Sequence, residues 1–239
     1  VDIQIEAAGE IGMRFHPCRG SMNLSEKDGG LPPDSVVQTE EEIVQDSERL
    51  IDAYHDPSPG AMTRIALAPC SPFSVTTDLM RKTAVLAREK GVRLHTHLAE
   101  TLDEEHFCLT RFGCRPVEYL EQVGWLNERV WLAHGIHFSA DEIQQLGRAG
   151  VGVAHCPGSN MRLGSGIARI PDLEAAGCPV GLGVDGSASN DASHLLAETR
   201  QALLLGRLAR GAESMDVLDA LKLATAGSAP RMMAAVLTP

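Results

Sequence analysis

Short apolar runs that stop abruptly at polar residues recur along this chain, separated by stretches whose apolar positions return every three or four residues. Residues 65–68, 92–94, 130–133, 151–154 and 180–184 are runs of the first kind, with the length and composition of buried strands. The second kind predicts helices. One covers 2–9 and is closed by Gly9 or Gly12. Another enters through a capping box of Thr39 and Glu42 and lines up Ile43, Val44, Leu50 and Ile51. Further helices are expected at 78–90 with Gly91 as the stop, at 117–122, from a second capping box of Ser139 and Glu142 to Gly150, and at 171–177. The remainder, from about 191 to 236, reads as helical, with Leu195, Leu196, Leu203, Leu204 and Leu205 supplying apolar contacts.

Between these elements a short strand is expected at 13–15, a polar loop at 101–115 and a Gly/Ser/Arg-rich loop after residue 156. Segment 21–38, rich in Gly, Pro, Ser and Asp, has the length of a lid or a linker. Strand and helix alternate without an internal repeat, which is the pattern of a parallel α/β barrel rather than a sandwich.

The polar residues that end the strands carry the chemistry. His95 and His97 stand two apart, so both point to one face of their strand, and Glu100 follows where the strand gives way to a loop. His134, His155 and Asp185 close three later runs. In a parallel barrel all such ends meet at one mouth, where imidazoles and carboxylates can hold a divalent cation beside a proton carrier. Each residue alone has a plainer reading. Paired histidines also pack and hydrogen-bond, Asp185 between apolar residues and glycine can cap a turn, and His134 can be a satisfied core histidine. His155, before Pro157, can shape a loop, and His194 lies at helical spacing from Glu198 on a solvated face. The ordered set favours the site.

Composition narrows the partners. The 239 residues suit one barrel domain, taken here as 1–239. With 21 basic against 32 acidic residues the net charge is -11, which argues against nucleic acid or an anionic membrane as partner and leaves a small molecule, with self-association open. No apolar stretch suits a membrane span and the first residues lack a signal-peptide pattern, so a cytoplasmic protein is expected. Six cysteines without a Cys-x-x-Cys pair read as reduced thiols; Cys70 and Cys156 follow strands, where pocket walls would be. A start at Val1, without methionine, suggests a piece of a longer chain.

Four segments in order, His95-Thr96-His97-Leu98-Ala99-Glu100, Ala133-His134-Gly135, His155-Cys156-Pro157-Gly158-Ser159-Asn160 and Val184-Asp185-Gly186-Ser187-Ala188-Ser189-Asn190-Asp191, resemble the later barrel motifs of the amidohydrolase superfamily, in its branch of purine, pterin and triazine deaminases. The segments around Arg14, Arg19 and Cys70 resemble the members that act on 8-oxoguanine. The resemblance implies a metal-dependent (β/α)8 barrel that deaminates a guanine-like heterocycle, 8-oxoguanine first, with guanine, isoxanthopterin or a triazine as alternatives. It implies one zinc or iron ion, with His97 and Asp185 as ligands and His134 in the metal group or touching the water. Glu100 is then the proton shuttle, with His134 and Asp185 sharing in catalysis. Arg14, Arg19, Cys70 and Asn160 become substrate contacts, and His95 and His155 support the site from behind.

Spacing agrees with the placement of His97. The 88 residues from His97 to Asp185 hold about three βα units, too few to separate a first strand from an eighth. The family's first-strand His-x-His pair, first two strands and terminal β-rich segment have no counterpart here. The barrel is therefore expected to be incomplete, and the alternative of another class is a non-catalytic fragment lacking a full metal site.

Overall fold

In a computed structural model, described over residues 1–227, six strands alternate with ten α-helices. The strands are β1 (Cys18–Ser21), β2 (Ala66–Pro69), β3 (Arg93–Leu98), β4 (Val130–His134), β5 (Gly152–His155) and β6 (Val180–Leu182). They form one parallel sheet whose order follows the chain, as βα repeats joined by right-handed crossovers produce. The expected 228–236 part of the last helix lies outside the described residues.

The chain divides into two compact units. The first, Val1–Thr96 with Glu118–Trp125, holds α1 (Asp2–Glu10), α2 (Glu40–Tyr54) and α3 (Thr77–Lys90) with β1, β2 and the start of β3. Thr39 and Glu42 make the expected capping box, and Gly91 ends α3 in the left-handed conformation that glycine adopts without strain. Ile43, Leu50, Leu67, Leu79, Met80 and Leu94 are buried, and the Trp125 indole N–H donates to the Met80 carbonyl at 2.8 Å.

The strand expected at 13–15 is reduced to a single bridge, Phe15 with Thr63, and the true strand begins at Cys18. It was hidden because its inward side chains, Arg19 and Ser21, are polar. Segment 22–38 is also ordered: Asn23 and Leu24 N–H donate to the Ser74 carbonyl and Leu31 N–H to that of Phe73. A Cβ on Gly30 would fall 2.4 Å from the Leu24 carbonyl oxygen, so only glycine fits there.

The second unit, His97–Val117 with the chain from Leu126 onward, holds the end of β3, strands β4 to β6, and α4 (Leu102–Phe112), α6 (Ala140–Ala149), α7 (Pro157–Leu163), α8 (Ile170–Ala175), α9 (Leu195–Arg210) and α10 (Val217–Ala224); α5 (Pro116–Gln122) is divided between the two. Two expected loops are helices. The acids Asp103, Glu104 and Glu105 occupy the first turn of α4, where the helix dipole favours them, behind a Thr101 cap. Pro157 sits in the first turn of α7, where its missing N–H is harmless. The leucines of α9 also depart from expectation: Leu205 is buried, while Leu195, Leu196 and Leu204 are exposed. No helix among the described residues is long and apolar enough to cross a membrane.

Candidate metal centre

The centre is built at three strand ends of the second unit. Burial along β3 alternates, so Leu94, Thr96 and Leu98 share the fully buried face while His95 and His97 share the opposite one, as the two-residue period requires. At or just past the strand ends, Ala99 (φ 53°), His134 (φ 70°) and Asp185 (φ 64°) occupy the left-handed region that residues with a Cβ seldom enter. Such conformations persist only where the surroundings impose them. Here the Ala99 carbonyl accepts from Ile136 and His137 N–H, both at 2.9 Å, and the Leu98 carbonyl accepts from Gly135 N–H at 3.2 Å.

These hooks bring one donor atom each from His97, His134 and Asp185 within 4.8 Å of one another. The His97 and His134 rings stack with centroids 5.4 Å apart. His134 Nε2 lies 3.6 Å from Glu100 Oε2 and 3.9 Å from Asp185 Oδ2, beyond hydrogen-bond range of both. Two imidazoles and a carboxylate are the number and kind of ligands that a catalytic zinc takes, so the residues present fit a divalent cation.

Two members are oriented by further hydrogen bonds. Asn160 Oδ1 meets His134 Nδ1 at 2.8 Å; an amide oxygen only accepts, so Nδ1 carries the proton and Nε2 turns its lone pair to the cluster. With Nδ1–H given to Asn160, His134 offers Nε2 as an acceptor or ligand. The Asp185 carboxylate accepts from the Ser159 hydroxyl at 2.6 Å, the Ser189 hydroxyl at 3.0 Å and Gly186 N–H at 2.7 Å. Burial pushes its pKa up, but these hydrogen bonds and nearby His134 outweigh burial and keep it below the ordinary carboxylate value. Ser159 and Asn160 are both fully buried neighbours in α7, so one helical turn orients two members of the cluster. The buried Glu198 carboxylate secures that turn: it accepts from Gly158 N–H and from the Asn190 side chain, both at 2.8 Å, and Asn190 also reaches the Val184 carbonyl at 2.8 Å.

The remaining residues singled out from sequence lie elsewhere or face protein groups. Asn160 is fully buried against His134. His155, 2% exposed, is outside the cluster and lines a cavity of about 70 Å³ with Ile167, Ile170, Leu205 and Met215; burial pushes its pKa down to about 3, with His134 adding to the effect. His194 is exposed and caps α9. In the first unit Arg19 is buried, with its guanidinium on Asp46 at 2.5 Å, on Gln38 at 3.0 Å and on the Gly20 carbonyl. Arg14 is exposed and donates to the Gly60 carbonyl, and the Cys70 carbonyl accepts from the Thr96 hydroxyl.

Glu104, Ser159, Asn190 and Glu198 escaped the sequence reading. Glu104 carried a signal in the Thr101-x-x-Glu104 spacing of a capping box, and Ser159 and Asn190 stood within the segments that carry the family resemblance, but none of the four was given a site role.

A model of the amidohydrolase family matches residues 1–232. The chain is 62% identical to 8-oxoguanine deaminase of Pseudomonas aeruginosa over 96% of its own length and 51% of the relative's. It is 41% identical to hydroxydechloroatrazine ethylaminohydrolase of a Pseudomonas species, over 96% of this chain and 48% of that one. Among solved structures, the zinc complex of atrazine chlorohydrolase from Arthrobacter aurescens superposes with a TM-score of 0.93 at 40% identity, covering 98% of this chain and 52% of that one. The chain thus spans about half the length of the relatives it matches.

Proposed function

This chain belongs to the amidohydrolase family, and from that premise we propose that the whole protein carrying it is a metal-dependent deaminase of a guanine-like heterocycle, with 8-oxoguanine, giving urate and ammonia, as the first substrate. The observation that carries the reading is the convergence of His97, His134 and Asp185, with Glu100 at its edge. Identity to the Pseudomonas aeruginosa relative supports the choice of ring.

His97, Asp185 and His134 would hold the cation, zinc or iron. When bound there, it supplies a nucleophilic water by lowering that water's pKa to about 7. Glu100 takes the water's proton at its carboxylate and delivers it to the ring nitrogen, then takes the hydroxyl proton of the tetrahedral adduct and passes it to the leaving amine. Asp185, held as a carboxylate by Ser159, Ser189 and Gly186, orients the attacking oxygen. His134 accepts at Nε2 because Asn160 occupies its Nδ1 proton. This reading takes residues 1–239 as part of a single barrel domain in a cytoplasmic enzyme, with neither nucleic acid nor membrane as partner.

The test is ammonia release by the whole metal-loaded protein from 8-oxoguanine, guanine, isoxanthopterin and hydroxylated triazines. The highest kcat/KM is expected for 8-oxoguanine, and a higher value for a pterin or triazine would reassign the pocket. No release from any of them by fully metal-loaded protein would sink the proposal. Glu100→Gln should keep the metal and lower kcat by about 10² to 10⁴.

A further inference from the structure

We propose that Glu104 is the positioning residue for Glu100, setting the peptide from which the proton shuttle projects. This rests on the reading of Glu100 given above. Glu104 belongs to the first turn of α4 and is 1% exposed. In an ordinary capping box its carboxylate would return to the N–H of the capping residue, Thr101. Instead it reaches further back, into the exit of β3: one oxygen accepts from Ala99 N–H at 2.7 Å and the other from Glu100 N–H at 3.3 Å. The Thr101 hydroxyl separately accepts from Glu104 N–H at 3.3 Å, so the helix has its cap without the carboxylate.

The two N–H groups flank the one left-handed alanine of the strand exit, and the segment just after β4 grips the same alanine through its carbonyl. Ala99 is therefore clamped from both sides, by Glu104 on its N–H and by Ile136 and His137 on its oxygen. A carboxyl group buried this far is expensive unless its acceptors are used, and burial pushes its pKa up to about 7. A purely apolar contact at this position would pack α4 equally well but leave both N–H groups without acceptors. Its removal would release the Ala99–Glu100 peptide from its strained conformation and let the Glu100 carboxylate drift from its place 3.6 Å from His134 Nε2.

The experiment is a double-mutant cycle in the whole zinc-loaded protein with Glu104→Gln, Glu100→Gln and their combination, and with Thr101→Ala as a control for helix capping. Glutamine has nearly the shape of glutamate but offers one acceptor oxygen, so one of the two backbone donors is lost. Glu104→Gln is expected to lower kcat about 10- to 100-fold while KM and zinc per chain stay at parent values, and the double variant should be no slower than Glu100→Gln. Thr101→Ala should lower Tm and leave kcat unchanged. Amide hydrogen exchange at Ala99 and Glu100 gives a readout without turnover, with about tenfold faster exchange expected in Glu104→Gln. Parent kcat in Glu104→Gln, additive losses in the double variant, or unchanged exchange would each overturn the positioning role while leaving Glu100 as shuttle. A normal rate in Glu100→Gln would overturn both. If Glu104→Gln does not fold, Glu104→Asp, too short to reach both donors, must show the same split between kcat and KM.

Discussion

Two polar clusters, each around one buried side chain, invite comparison: Arg19 with Asp46 and Gln38 in the first unit, and His134 with His97 and Asp185 in the second. The first closes on itself. Among the described residues the partners of the Arg19 guanidinium are protein oxygens, and Arg19 itself sits on regular strand backbone. In the second, His134 Nε2 stays beyond hydrogen-bond distance of the Glu100 and Asp185 carboxylates, while His134 Nδ1 is bonded to Asn160 and the Asp185 carboxylate to Ser159, Ser189 and Gly186. Two of its members and the neighbouring Ala99 hold left-handed backbone. Self-satisfied polar clusters suit stability, whereas ligand-type atoms that converge without bonding one another suit a ligand placed between them.

The sharpest break of this contrast is His97→Ala in the whole protein. Zinc measured by plasma emission should fall from near one per chain to background, with ammonia release lost; stoichiometric metal in the variant would remove His97 from the centre. Asn160→Ala should weaken zinc binding about 10- to 100-fold in chelator competition, because His134 Nδ1–H loses its acceptor. The opposite pattern is expected for Arg19→Met, which should cost about 1 kcal/mol in urea unfolding through loss of the hydrogen bonds to Asp46, Gln38 and the Gly20 carbonyl, with zinc per chain unchanged.

The smallest effect concerns His155 and pH. Its folded pKa, about 3, lies below the ordinary value of 6.5, so the unfolded chain binds the extra proton between those values. Stability from this group is present above pH 6.5 and lost on acidification towards 3, by at most about 1.4 kcal/mol per pH unit. Relative to His155→Leu, the parent should lose Tm more steeply from pH 6.5 to 4.5; parallel curves would show that His155 is not buried neutral.

Much of this architecture was legible because period and punctuation are local. The apolar runs at 65–68, 130–133 and 151–154 became strands, and the capping boxes at Thr39 and Ser139 formed as their spacing requires. Elements whose signals were not apolar stayed hidden. Strand β1 faces inward with Arg19 and Ser21, α4 opens on three acids, and α7 begins with proline and glycine. In each case a tertiary partner or a helix terminus supplies what intrinsic pattern lacks. Local leucine content likewise overstated the burial of α9, since which face is covered depends on neighbours far away in sequence.

The residue types at the strand ends, His97, Glu100, His134 and Asp185, and the three βα units separating the first from the last, were determined by sequence alone, because strand period and crossover length are properties of the chain. Tertiary structure decided which atoms face inward. Asn160 turns to His134, Ser159 to Asp185, and Glu104 reaches past its own helix cap to the Ala99–Glu100 peptide. Hydrogen bonds between residues 26 apart, and left-handed backbone in alanine, histidine and aspartate, leave no periodic trace, since packing imposes them against local preference.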